Sequence, residues 1–112
     1  MQRLATYGTL RPGERNHGQV SSLCGQWFTG SVRGRLLDAG WGADHGFLGL
    51  VLDDAHGEVP VDVLESPDLA AHWDRLDEFE GDEYRRVPVL VATRHGQIEA
   101  FIYVVAPELV GS

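Results

Sequence analysis

The chain has 112 residues and a formal net charge of −8, which arises from 17 acidic residues and nine arginines, without any lysine. This length is typical of one domain, residues 1–112, and a hydrophobic content of 43 % is enough to fill one core. The negative charge argues against binding to a nucleic-acid backbone, which needs a basic surface. The longest apolar run, residues 100–106, is only about a third of a membrane span, so we expect no membrane segment.

The cysteine, lysine and histidine content excludes several kinds of chemistry. The single cysteine, Cys24, excludes an internal disulfide and a cysteine-rich zinc site, and we expect its thiol to be buried and structural. The absence of lysine excludes Schiff-base catalysis. No two histidines have the helical spacing of a metal pair, so we expect no metal. The first residues contain no long apolar stretch of the secretory type, and we expect a cytoplasmic protein.

Short apolar or alternating segments bounded by turn residues predict about six strands. They lie at residues 4–7, 27–37, 47–52, 58–64, 84–92 and 98–104. Residues 17–23 are expected to form a helical turn. Within these strands, Gly30 and Gly34 indicate bulges or bends, and Pro60 indicates a sheet edge or a bulge.

One longer helix is predicted at residues 67–80. Ser66 is expected to cap it, Pro67 to occupy the first helical position, and Gly81 to end it. Because most connections between strands are too short for parallel crossovers, the sheet is expected to be mainly antiparallel. We therefore predict an α+β fold, a small mixed, mainly antiparallel β-barrel of about six strands with one main helix packed on it.

The predicted helix places a carboxylate on its apolar face. Leu69, Trp73 and Leu76 form a narrow stripe at the helical period, and Glu80 falls at the centre of the same stripe. Burial, neighbouring acids and the end of the helix dipole would all raise the pKa of Glu80. A carboxylate that titrates near neutral pH is suited to proton transfer, so Glu80 is a candidate general acid/base.

A structural role for Glu80 is the alternative. An acidic run at the end of a helix is often a solvated face, and Glu80 could point outward or form an ion pair with Arg85 or Arg86. The periodicity of the helix alone does not separate these alternatives from the catalytic one.

A glycine-containing loop, residues 7–13, follows the first strand directly. Gly8 and Gly13 match the outer glycines of a phosphate-binding P-loop, but Glu14 and Arg15 stand where that motif needs lysine and a hydroxyl residue, so the phosphate interpretation fails. The free N–H groups of such a turn can still bind a carboxylate. The alternative is an ordinary tight turn in which Gly8 adopts an unusual backbone angle.

Five short motifs follow one another along nearly the whole chain: YGTL at residues 7–10, PG followed by NH at 12–17, LDEFEG at 76–81, YRRVPV at 84–89 and IEAFIY at 98–103. In this order and spacing they resemble the γ-glutamylcyclotransferase-like (AIG2-like) family. The chain most resembles the short members of the γ-glutamylamine cyclotransferase type. It departs from the family pattern at Leu48 and Pro60, and the loop at residues 39–45 has no match.

The resemblance implies a small barrel with a cavity, in which Glu80 is the general acid/base and Tyr7, Gly8, Thr9 and Leu10 bind the substrate. It implies conversion of a small-molecule γ-glutamyl amine or γ-glutamyl amino acid into 5-oxoproline and a free amine, without metal or cofactor. We expect a monomer or homodimer that binds neither nucleic acid nor membrane.

Two other functions remain open at this stage. The same fold could be a non-catalytic module that binds a small carboxylate metabolite, or an enzyme that removes a γ-glutamyl group from a larger biosynthetic intermediate. Tyr84 and Tyr103 could orient Glu80 or the substrate, although packing is an equal explanation, and Trp41 is a candidate lid of the cavity.

Overall fold

The computed structural model describes residues 2–37 and 49–106. Within them, the strands are β1 (Gln2–Thr6), β2 (Gln26–Leu37), β3 (Gly49–Leu52), β4 (Glu58–Ser66), β5 (Tyr84–Thr93) and β6 (Gly96–Val105). The α-helix, α1, spans Leu69–Glu80, and a short 3-10 turn at His17–Gln19 lies where residues 17–23 were expected to be helical. Trp41, Leu48 and the loop at 39–45 lie outside the described residues.

The strands form a barrel. Their order is β3-β2-β4-β1-β6-β5, and pairing of Ser31 on β2 with Ala92 on β5 closes five of them into a ring, with β3 outside it. The β1–β6 pair is parallel and the other pairs are antiparallel. The predicted fold class, a small mixed barrel with one helix, is confirmed.

Strand alternation fills the barrel interior with branched aliphatic side chains. Every second residue along β4 and β6 points inward, as the period of a β-strand requires. The resulting core contains Val59, Val61 and Val63 from β4, Ala100, Ile102 and Val104 from β6, and Val32, Leu50 and Val91 from the other strands. Each fully buried valine or leucine in such a core contributes about 2 kcal/mol through removal of apolar surface from water.

The helix covers a second core on the outside of the barrel. Its buried residues are Leu69, Trp73 and Leu76, the stripe that the helical period predicted. They belong to one apolar cluster with Leu4 of β1 and Leu64 of β4. This packing holds the C-terminal turn of α1 beside the end of β1.

Gly30 and Gly34 do not form bulges, because the pairing of β2 with β4 and then β3 skips no residue of β2. Both glycines instead allow neighbouring strands to approach β2 closely. A Cβ at Gly30 would lie 2.6 Å from Val91 Cγ1, and one at Gly34 would lie 2.5 Å from the Val51 carbonyl oxygen. Glycine is therefore required where β5 and β3 come against β2.

Pro60 occupies an internal strand, where it pairs with Ser31 of β2. The prediction of an edge holds only locally, because β1 pairs with β4 from Asp62 to Ser66 and does not reach Pro60. The missing N–H of the proline therefore interrupts no bond between β4 and β1.

The start of the helix differs from its prediction. Ser66 is still paired in β4, and the helix begins at Leu69 with Asp68 as the capping residue. The Ser66 hydroxyl nevertheless accepts a 3.0 Å hydrogen bond from the Asp68 N–H. The Asp68 carboxylate accepts a 2.9 Å hydrogen bond from the Cys24 N–H, which draws it away from its own helix. Cys24 itself is exposed, so the expectation of a buried thiol was wrong.

Candidate active site

A cavity of about 210 Å³ opens where the end of β1, the loop after it and the C-terminal turn of α1 meet. Its lining comes from three separate segments of the chain and from β6. The lining residues are Ala5, Thr6, Tyr7, Gly8, Thr9, Leu10, Asn16, Phe79, Glu80, Glu83, Tyr84 and Tyr103. The structure therefore brings all five sequence-predicted site residues to one cavity, although Glu80 is about seventy positions from the loop in sequence.

Glu80 is the last residue of α1 and is half-buried in this cavity. The helix ends at Gly81, whose φ of 83° only glycine adopts readily, and the Gly81 N–H bonds to the Asp77 carbonyl. Burial raises the pKa of Glu80 from 4.5 to about 7. Asp74 and Glu78, which the helical period placed on the opposite face, are exposed. The expected rise in the pKa of Glu80 is present, and its cause is burial.

Asp77, which lies one helical turn before Glu80 on α1, is engaged in an ion pair with Arg86. Arg86 donates to both Asp77 oxygens, at 2.9 and 3.2 Å, and this pairing lowers the pKa of Asp77. The Arg86 guanidinium also lies over the Trp73 ring, 4.5 Å from its centroid. Arg86, one of the two candidate partners of Glu80, therefore pairs with Asp77.

Gly8, Thr9 and Leu10 of the loop after β1 line the cavity, and their backbone N–H groups are not used within the loop. The carbonyl groups of Gly8, Thr9 and Leu10 are used within the loop, where they accept hydrogen bonds from the Arg11 N–H at 3.2 Å, the Asn16 N–H at 3.0 Å and the His17 ring at 2.9 Å. In the part of the chain that the structure describes, no acceptor pairs with the N–H groups of these three residues. Consecutive free N–H groups of this kind can hold a carboxylate or an oxyanion.

Gly8 has no strained backbone, because its φ is not positive. A Cβ built on Gly8 would meet no protein atom within 4 Å. The interpretation of Gly8 as the residue that supplies an unusual backbone angle is therefore wrong. The open space at Gly8 borders the cavity, so glycine there leaves room for a ligand rather than for the chain.

Tyr7 contributes its ring to the cavity, while its hydroxyl belongs to the scaffold. The hydroxyl donates to the Tyr103 carbonyl at 2.8 Å and accepts from the Leu50 N–H at 3.1 Å, so it links β6 to β3. Burial raises the pKa of Tyr7 above its ordinary value. The Tyr7 hydroxyl is thus a neutral structural group.

Sequence reasoning did not identify several cavity residues. Asn16 lines the cavity and donates to the Thr9 hydroxyl at 2.9 Å, which holds the loop. Phe79 and Glu83 lie on either side of Glu80 along the chain and are exposed. The position of Phe79 next to a candidate acid was a usable signal, but nothing in the sequence placed Glu83 at a cavity.

Within residues 2–37 and 49–106, no group of three or more histidine, cysteine or acidic side chains could hold a metal ion. In the same ranges, no helix is long and apolar enough to span a membrane.

Comparison with known proteins places this chain in a family. The model of the family "Gamma-glutamyl cyclotransferase, AIG2-like" matches residues 4–111. The chain belongs to this family. The match includes both the loop after β1 and the C-terminal turn of α1. Comparison with curated protein sequences gives no significant match.

Solved structures share the fold. YkqA from Bacillus subtilis is 30 % identical, with a TM-score of 0.73 over 93 % of this chain; the chain spans only 35 % of YkqA. An AIG2-like protein from Mus musculus is 22 % identical, with a TM-score of 0.73, and 98 % of this chain covers 82 % of it. A structure described as a γ-glutamyl cyclotransferase is 20 % identical, with a TM-score of 0.74 over 94 % of this chain and 66 % of that one.

Proposed function

We propose that this protein is a cyclotransferase that converts a γ-glutamyl amine or γ-glutamyl amino acid into 5-oxoproline and a free amine, with Glu80 as the general acid/base. The observation that carries the proposal is the placement of Glu80, with its pKa raised to about 7, in one cavity with Gly8, Thr9 and Leu10. Membership of the γ-glutamyl cyclotransferase family supports the reaction class.

The first half of the proposed reaction is an intramolecular attack. The ionised Glu80 carboxylate takes a proton from the substrate's α-ammonium group, and the freed amine attacks the γ-carbonyl carbon to form a five-membered ring. Because both reacting groups belong to one molecule, the main task of the cavity is to hold the glutamyl chain folded. The N–H groups of Gly8, Thr9 and Leu10 would bind the α-carboxylate or the developing oxyanion.

The second half of the reaction releases the leaving amine. The oxyanion collapses, the bond from the carbonyl carbon to the leaving nitrogen breaks, and protonated Glu80 donates its proton to that nitrogen. The ring nitrogen carries one extra proton after its attack, and it loses this proton as the bond breaks. The departing amine takes up that proton and leaves as an ammonium ion, so the products are 5-oxoproline and the protonated amine, and Glu80 is ionised again. A carboxyl group with a pKa of about 7 is present in both protonation states near neutral pH, which suits it to both steps.

The test is release of 5-oxoproline from γ-glutamyl amines and γ-glutamyl dipeptides by the wild type and by the Glu80→Gln variant. We expect the variant to fold and to lose about 100- to 10,000-fold in kcat, the usual contribution of a general acid/base. Glu78→Gln is the matched control, because Glu78 is exposed on the opposite face of the same helix. Near-normal turnover by Glu80→Gln would refute the proposed role of Glu80.

The two alternatives are outcomes of the same test. Tight binding of γ-glutamyl compounds without any 5-oxoproline would indicate a binding module. Turnover only of large γ-glutamyl conjugates would indicate an enzyme that acts on a biosynthetic intermediate.

A further inference from the structure

Among the described residues that line the candidate active site there are two carboxylates and no basic side chain. Glu80 and Glu83 both line the cavity, and none of its lining residues is an arginine. The chain has nine arginines and no lysine, and all nine arginines lie within the described residues 2–37 and 49–106. The residues outside these ranges contain neither arginine nor lysine.

Several of the arginines nearest in sequence to the site have acceptors of their own and are not among the described lining residues. Arg11 donates to the Asp62 carboxylate at 2.7 Å, Arg86 is paired with Asp77, and Arg85 donates to the Asp82 carbonyl at 3.0 Å. A negatively charged group that entered this cavity would find backbone N–H groups in the loop after β1 and no arginine or lysine to neutralise it elsewhere. The described lining of the cavity therefore offers backbone donors for one carboxylate of a substrate and no arginine or lysine for a second.

The cavity has a buried inner end and an exposed outer end. Its inner end is formed by Tyr7 and Leu10, which are 8 % and 6 % exposed, and its outer end, the mouth, is formed by exposed Phe79 and Glu83. If the glutamyl group lies against the loop after β1, as the proposed function requires, the leaving amine passes Glu80 and extends to the mouth. At the mouth, the leaving amine lies near the Phe79 ring and the Glu83 residue.

Glu83 lies in the hydrogen-bonded turn between α1 and β5. Its carbonyl accepts a 2.8 Å hydrogen bond from the Ala106 N–H, and the Tyr84 N–H bonds back to the Gly81 carbonyl at 3.3 Å. The peptide group that joins Glu83 to Tyr84 is therefore bonded through both its carbonyl and its N–H, which fixes the backbone from which the Glu83 side chain leaves at the cavity.

We infer that Glu83 selects the leaving group by charge, so that the substrates are γ-glutamyl derivatives of amines with a second, cationic nitrogen on an aliphatic chain. This inference rests on the proposed function. The aliphatic chain would lie against Phe79 and the distal ammonium group would pair with Glu83, whereas a leaving amino acid would bring a carboxylate to the same place. Like charges at a site of this kind disfavour the wrong partner as strongly as opposite charges favour the right one.

The test uses three leaving groups of matched length and different charge: diaminobutane, pentylamine and γ-aminobutanoate, each as its γ-glutamyl derivative. For the wild type, we expect kcat/KM to fall from the cationic to the neutral to the anionic compound, with a difference of about three- to tenfold at each step at low salt. The differences should shrink at high ionic strength, because Glu83 is exposed and salt screens its charge.

Variants of Glu83 then assign the selectivity to this residue. Glu83→Gln should reduce the preference for the cation at least threefold, about the effect of one exposed ion pair, and Glu83→Arg should favour the anionic compound. Asp82→Asn is the matched control, because Asp82 is an exposed neighbouring acid that does not line the cavity. An unchanged order of the three compounds in Glu83→Gln would overturn the inference.

Calorimetry separates this inference from the proposed function. Dissociation constants of the three compounds, measured with the Glu80→Gln variant, should follow the same order of charge without any turnover. If the compounds bind in that order and the wild type releases no 5-oxoproline, charge selection by Glu83 stands and the cyclotransferase proposal fails. If all three are turned over equally well, the cyclotransferase proposal stands and selection by Glu83 is refuted.

Discussion

The Tyr103 hydroxyl donates a 2.6 Å hydrogen bond to the Asp77 carboxylate, one helical turn before Glu80 on α1. Because Asp77 also accepts two hydrogen bonds from Arg86, this carboxylate ties β6 and β5 to the last turn of the helix. Tyr103 lines the cavity with Glu80, and burial, together with hydrogen bonding to Asp77, raises the pKa of the tyrosine above its ordinary value. The helix end that carries Glu80 is therefore fastened to the barrel by polar contacts.

Removal of the charge at Asp77 should loosen this attachment. We expect Asp77→Asn to lower the free energy of unfolding by about 1–2 kcal/mol, because it replaces charge-assisted hydrogen bonds to Arg86 and Tyr103 with weaker ones. We expect kcat to fall about tenfold through misplacement of Glu80, a typical consequence of small errors in geometry. Urea unfolding and steady-state kinetics measure the two effects. Glu78→Gln, an exposed change on the same helix, should alter neither, and wild-type stability in Asp77→Asn would contradict the proposed attachment.

The pH dependence of the rate should report Glu80. The proposed base acts in its ionised form, so kcat/KM should rise with pH and reach half its plateau near the pKa of the carboxyl group, about 7. An ordinary glutamate would place this midpoint more than two pH units lower. Initial rates from pH 5 to 9 measure the profile, and Asp82→Asn should leave the midpoint in place. A midpoint near the ordinary value of 4.5 would show that the acting base is not the buried carboxyl group of Glu80.

The same burial should make the fold less stable at higher pH. Since the pKa of Glu80 rises from 4.5 to about 7 on folding, the native state binds more protons than the unfolded state between these values. The stabilising contribution of protonated Glu80 is present below pH 4.5 and is lost as the pH rises through 7, which amounts to about 3 kcal/mol. Glu80→Gln cannot ionise, so its stability relative to the wild type should increase with pH over this range. Urea titrations of both proteins at several pH values give the difference, and parallel curves would contradict a buried ionisable carboxyl group.

The sequence predicted the structure correctly where the helical period or the alternation of a strand determines which side chains are buried. The helical stripe of Leu69, Trp73 and Leu76 predicted both the buried face of α1 and the half-buried position of Glu80, since one turn of helix relates them. The barrel followed from short alternating strands with short connections. The helix start was misplaced, because Ser66 is retained by strand pairing with Gln2, which no local signal reveals.

The residues that complete the site depend on contacts distant in sequence. Arg86 pairs with Asp77 and not with Glu80, because the barrel sets the position of β5 relative to the helix. The sequence does not encode that relative position in any local pattern. The Tyr7 hydroxyl bonds to the backbone of Tyr103 on β6 and of Leu50 on β3. Because these residues are far apart in sequence, the structural role of the hydroxyl could not be predicted without the fold. Glu83 lies at the cavity because of the turn after α1, in which its carbonyl accepts a hydrogen bond from the distant Ala106 N–H.

Glycine substitutions give the sharpest test of the loop after β1. An alanine at Gly8 has an allowed backbone conformation and meets no protein atom within 4 Å, so Gly8→Ala should leave stability unchanged or raise it by up to about 1 kcal/mol. The new methyl group would take space that the substrate needs, and we expect KM to rise about tenfold. Gly57→Ala, at an equally open glycine outside the cavity, is the control for stability and kinetics. Gly30→Ala should instead destabilise the barrel, because its Cβ would lie 2.6 Å from Val91. An unchanged KM in Gly8→Ala would mean that the substrate does not lie against this loop.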